Sequence, residues 1–101
     1  MAEITNPGTN ATEFAGEFKL LSLPGLALTA ATDTITLTAA ANGITTIQNV
    51  VVCPAAGVDA AYSDTSVTWS GLVITISSWD EAGTVATDWT GATCNVIIIG
   101  S

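Results

Sequence analysis

Nine carboxylates, two cysteines and three tryptophans are the residues of this 101-residue chain that could act on or hold another molecule, and no histidine accompanies them. Without histidine, Ser-His-Asp and Cys-His nucleophilic arrangements are impossible and the commonest zinc sets lose a ligand that two cysteines cannot replace. Asp80 and Glu81 with Asp88 are the nearest approach to a carboxylate pair for glycoside hydrolysis. Neighbours in an extended chain point apart, however, and the expectation is plain surface carboxylates. Asp59, Asp64, Asp80 and Glu81 offer hard oxygens of the kind calcium takes, but in no calcium-loop pattern, so they read as solvated acidic loops. Trp79 and Trp89 stand beside Asp80 and Asp88, the aromatic-plus-carboxylate mixture of sugar-binding modules. The same rings suit a core or a protein interface equally well. Nine glycines fall at turns without a phosphate-cradling pattern. No catalytic residue, cofactor site or metal ligand is assigned.

The formal net charge is −8, with Lys19 the sole basic side chain. Phosphate backbones and anionic lipid surfaces are held by Lys and Arg, so the expectation is no nucleic acid and no membrane partner, whereas a basic protein surface would suit. The opening MAEITNPGTN has neither a positive segment nor an apolar run after it, which implies synthesis in the cytoplasm. Cytoplasmic thiols stay reduced, so Cys53 and Cys94 are expected to be buried and free. A bridge between them is a secondary possibility, because one closes a strand and the other opens one.

The elements that must carry these residues are strands. Charged residues make up only 10% of the chain, and Val, Ile and Thr together roughly a third, an excess that favours pleated structure. No segment keeps a helical apolar period. Residues 1–12 read as a polar arm, with turn chemistry at Asn6-Pro7-Gly8 and Ile4 as its lone core-forming residue, disposable for folding. Residues 13–101 read as a single domain. The alternation in EFAGEFKLLSL puts Phe14, Gly16, Phe18 and Leu20 on one face of a strand ended by Pro24-Gly25. DTITLTAA points Ile35 and Leu37 one way and Thr34, Thr36 and Thr38 the other, before a turn at Asn42-Gly43. ITTIQNVVVC loses its alternation at Val50, Val51 and Val52, which predicts a central strand covered on both faces. A loop at residues 54–64 is followed by a hairpin, TSVTWSGLVITISS, turning at Ser70-Gly71. A turn or single helical turn at residues 79–83, a short strand near residues 84–89 and a last strand from about Thr93 complete the chain. The fold class is all-β: a compact antiparallel β-sandwich, jelly-roll-like or related, of about six to eight short strands.

The closing CNVIIIGS carries the sharpest question. Val96, Ile97, Ile98 and Ile99 occupy both faces of one strand, so one face should enter the core and the other should be covered by a further strand or subunit.

The succession of a GITTIQNVVV strand, a variable loop, a VTWSGLVITI hairpin, a polar turn and a terminal NVIIIG strand resembles small virion proteins of tailed bacteriophages. The resemblance implies a cement or decoration protein, commonly trimeric, on the outer capsid surface. It would bind the major capsid protein and bridge neighbouring subunits without being an enzyme. A tail or fibre component, or a carbohydrate-binding sandwich, is the alternative.

Overall fold

A computed structural model describes residues 2–8, 11–14, 18–28, 32–56, 62–80 and 92–101. Its elements are β1 (Ala2–Glu3), β2 (Thr12–Phe14), β3 (Phe18–Ala27), β4 (Thr32–Thr36), α1 (Ala39–Asn42), β5 (Ile47–Ala56), β6 (Tyr62–Ser70), β7 (Val73–Asp80) and β8 (Thr93–Gly100). The strands form two four-stranded sheets, the first in the order β1-β4-β7-β6 and the second β2-β3-β8-β5. All pairs are antiparallel except β1 with β4. The expected all-β sandwich is the observed architecture.

Each sheet has alternating strands, and alternation delivers one face to a shared interior. Ile35, Ile74 and Ile76 come from the first sheet; Leu21, Leu23, Val50, Val96 and Ile98 come from the second. Register locks these sets together. Ile35 stands opposite Ile74 in the first sheet, and Leu21 opposite Ile98 and Leu23 opposite Val96 in the second. Leu37 continues the inward parity of β4 and donates its backbone N–H to the Leu72 carbonyl, closing the end of that layer.

The short helix α1 was not expected. Thr38 caps it by accepting from the Ala41 N–H, and Gly43 ends it at φ 74°, the left-handed conformation that the Asn42-Gly43 turn chemistry anticipates. Lys19 lies half-buried, its Nζ donating to the Gly43 carbonyl at 2.8 Å, so the one cation sits at the end of the helix where carbonyls lack partners. At the close of β8, a Cβ on Gly100 would strike the Thr46 carbonyl oxygen.

Several sequence expectations are corrected. The stretch from Glu13 to Leu23 is not one strand: β2 and β3 fold against each other with Phe14 opposite Phe18 and Thr12 opposite Leu20. Phe18 and Leu20 do share a face, but it is the outer one, because β8 pulls Leu21 and Leu23 inward by pairing them with its own core residues. Pro24-Gly25 does not end β3. It lies within the strand at a register shift between Leu23 and Leu26, beyond the reach of β2. There a residue without an N–H and a glycine at φ 68° are tolerated as a bulge. The Gly25 N–H is taken up by Asn95 Oδ1 at 2.9 Å.

β5 is an edge strand rather than a central one, and Val51 is 50% exposed. The central position belongs to β8. The hairpin turns at Gly71-Leu72, one residue later than expected, since Ser70 still pairs with Val73. Trp79 and Asp80 belong to β7, paired with Asp64 and Tyr62, rather than to a turn. The expected loop at residues 54–64 is shortened from both ends by β5 and β6; residues 57–61 and the expected strand near residues 84–89 lie outside the described residues.

The N-terminal segment is bonded to the body rather than detached from it. β1 pairs with β4, Ile4 is buried, and the Ile4 N–H donates to the Thr34 carbonyl at 2.6 Å. Asn6 reaches further: its Nδ2 donates to the Thr36 carbonyl and to Asn42 Oδ1, while Asn42 Nδ2 donates back to Asn6 Oδ1 at 3.1 Å. Asn42 is fully buried, and its Oδ1 also accepts from the Thr38 N–H. A buried amide so fully partnered ties the chain's beginning, β4 and α1 into one network.

Candidate functional site

The feature of this molecule best suited to act on something else is a surface, the outer face of the second sheet. Its composition follows from register. Directly opposite residues of antiparallel strands point the same way, so Leu20, Ile99 and Asn49 form one row across β3, β8 and β5, and Ser22, Ile97 and Val51 form the next. Phe18 extends the patch toward β2. Phe18 is 42% exposed, Leu20 39%, Ile97 41% and Val51 50%. Ile99 is half-buried. Asn95 and Cys53 make the third row, so a polar rim borders an apolar middle. None of these outward positions carries a charged residue, although the chain carries −8.

Such a face departs from the ordinary pattern, in which an antiparallel sheet turns polar side chains to water. It arises because β3 and β8 hold apolar residues of both parities. The terminal strand answers the question its sequence raised in one respect: Val96 and Ile98 are in the core, while Ile97 looks outward with nothing of the described chain over it.

The residues with chemical potential are placed as follows. Asp64 and Asp80 lie in β6 and β7, with Asp64 in register with Trp79. Asp59, Glu81, Asp88 and Trp89, and with them the expected acidic loops and aromatic pair, lie outside the described residues. Among the described residues no group of three His, Cys, Asp or Glu side chains could hold a metal ion, no cavity opens, and no helix is long and apolar enough to cross a membrane.

Both cysteines are free. β5 and β8 are antiparallel neighbours, as the bridge would require, but Cys53 stands opposite Asn95 and Cys94 opposite Pro54. One residue of offset sends the two thiols to opposite faces of the sheet. Cys53 is therefore exposed at the rim of the apolar face, correcting the expectation that both are buried. Cys94 points into the core, where burial, with smaller contributions from the negative charges of Asp33 and Cys53, pushes its thiol up to about 11.

Sequence reasoning missed two polar residues of consequence, Asp33 and Asn42, both buried. Asp33 follows the inward parity of Ile35 and Leu37, a signal present in the alternation but masked by its charge. For Asn42 the only signal was its position before Gly43. No protein-family model, characterised protein or solved structure matches the chain.

Proposed function

We propose that this chain is a structural virion protein, a cement or decoration protein that binds the outer surface of a phage head and stabilises it by bridging neighbouring major capsid protein subunits. The phage assignment comes from the sequence resemblance, with the homotrimer it implies. The observation that supports an assembly role is the uncharged apolar face displayed by β3, β8 and β5. Contiguous exposed apolar surface of this kind marks protein contacts.

A bridging role needs no bond-making. A protein that binds only the assembled lattice raises the free energy of rupture by mass action, as does any ligand selective for one state. The −8 charge would steer the chain toward basic patches on a shell, so association should slow as salt is added. The test is to pellet purified shells with the protein and then heat or osmotically shock them. A higher rupture threshold at full occupancy supports cementing; an unchanged threshold, or no co-pelleting, overturns it.

A further inference from the structure

We infer that the outer face of the second sheet is the surface through which copies of this chain associate with one another, leaving the capsid to the remainder of the molecule. The inference deepens the self-association part of the reading above.

Charge selects the occupant. A basic partner attracted by the net charge of −8 would meet carboxylates, and the outward positions 18, 20, 22, 49, 51, 53, 95, 97 and 99 include none. A second copy carries the same −8 and can approach closely only where both surfaces are neutral. The described face meets that condition for both partners at once.

Chemistry agrees. The middle of the face is Leu20, Ile97, Ile99 and Val51, and its border is Ser22, Asn49, Asn95 and Cys53. An apolar centre within a hydrogen-bonding rim is the anatomy of a protein interface. The three long strands β3, β8 and β5, about 4.8 Å apart and paired over about eight residues, give a footprint of about 380 Å² before side-chain relief is added, the scale of a weak interface rather than the roughly 800 Å² per partner of a standard one. The apolar residues at its centre would supply only part of that area. The neutral polar rim must therefore be buried as well, and a surface matched to itself can do this without stranding a charge.

The test measures the mass of the full chain by analytical ultracentrifugation, for the native protein and for Ile97→Lys and Thr68→Lys. Thr68 is exposed on the other sheet and serves as the control. The expected result is a dimer or trimer whose dissociation constant rises at least about tenfold in Ile97→Lys and stays unchanged in Thr68→Lys. Cross-linking with a short bismaleimide gives a second readout that needs no variant to fold. Cys53 at the rim should join copies to each other, Cys53→Ser should abolish the product, and buried Cys94 should take no part. A native monomer at about 100 µM, far above the micromolar range of ordinary association, overturns the inference. So does dissociation by Thr68→Lys with Ile97→Lys unaffected. A monomer that still pellets with shells sinks this inference alone, whereas an oligomer that ignores shells sinks the capsid reading alone.

Discussion

The two sheets are built alike inside and differ outside. The outer face of the first presents, among the described side chains, Thr32, Thr34 and Thr36 from β4, Thr75 and Ser77 from β7, and Ser66, Thr68 and Ser70 from β6, with Val73 apolar and Glu3 of β1 accepting from the Thr36 hydroxyl. The outer face of the second presents Phe18, Leu20, Ile97, Ile99 and Val51. Thr is nearly isosteric with Val and has the same β-branch, so it meets the local demands of a strand equally well. The first sheet shows that this fold can be closed with hydroxyls facing water. Apolar side chains on the second are therefore not required to form the strands, and their effect is on what the face contacts.

The comparison breaks most visibly within β8, where adjacent isoleucines should behave in opposite ways. Ile98→Ala removes a fully buried side chain and should cost about 3–4 kcal/mol in urea denaturation. Ile97→Ala, outward on the same strand, should cost the folded monomer no more than about 0.5 kcal/mol. Equal losses would mean that the outward side is covered within the single chain.

The first sheet's edge offers a second, smaller effect. Asn42→Ala should lower stability by about 1–3 kcal/mol because it leaves buried partners unsatisfied. Asn6→Ala added to it should cost much less than it does alone, since the two amides share one network. Removal of residues 1–12 should lower the melting temperature at least as far as Asn42→Ala, because Ile4 leaves the core with them. An unchanged melting temperature would support the disposable arm that the composition suggests.

The cysteines distinguish the two sides of the second sheet by titration. An unfolded thiol loses its proton near 9.0, the ordinary value, and Cys94 in the fold only near 11. Its contribution to stability is therefore intact below pH 9 and lost as pH rises toward 11. Denaturation midpoints across that window should fall more in the native protein than in Cys94→Ala. At pH 8, a thiol reagent should modify Cys53 readily in the folded protein and Cys94 only after unfolding.

The smallest expected changes in stability come from exchanging the two faces' chemistry. Ile97→Thr with Val51→Thr, and separately Thr68→Ile with Thr75→Ile, should each shift monomer stability within about 0.5 kcal/mol per site. Light scattering should nevertheless show weakened association in the first pair and new association in the second. Unchanged association in both would show that the faces' chemistry does not govern contact.

Much of the fold was legible because strands write their period locally. Ile35 and Leu37 against Thr34, Thr36 and Thr38, or Val67 and Trp69 against their neighbours, needed only the alternation of side chains along a strand. Where both parities are apolar, alternation is silent about which set goes inward, and the Leu20-Leu21 and Ile97-Ile98 choices could not be made that way. The candidate face was half legible: the terminal isoleucines announced that something must cover one side, while Phe18, Leu20 and Val51 became its members only through pairing.

By itself, then, the sequence determined an all-β chain with nearly all its charge of one sign, no histidine chemistry, and strands whose turns fall at Asn42-Gly43 and around Gly71. Only the tertiary structure decided that β8 is central and β5 an edge, that the two cysteines face apart, that Asn6 and Asn42 bind the chain's beginning to its helix, and that one outer face is apolar and the other hydroxylated. The physical reason is range. Alternation, turn propensity and charge are properties of a few neighbouring residues, whereas strand order and register depend on partners far apart in the chain, and a shift of one residue turns every side chain to the opposite face.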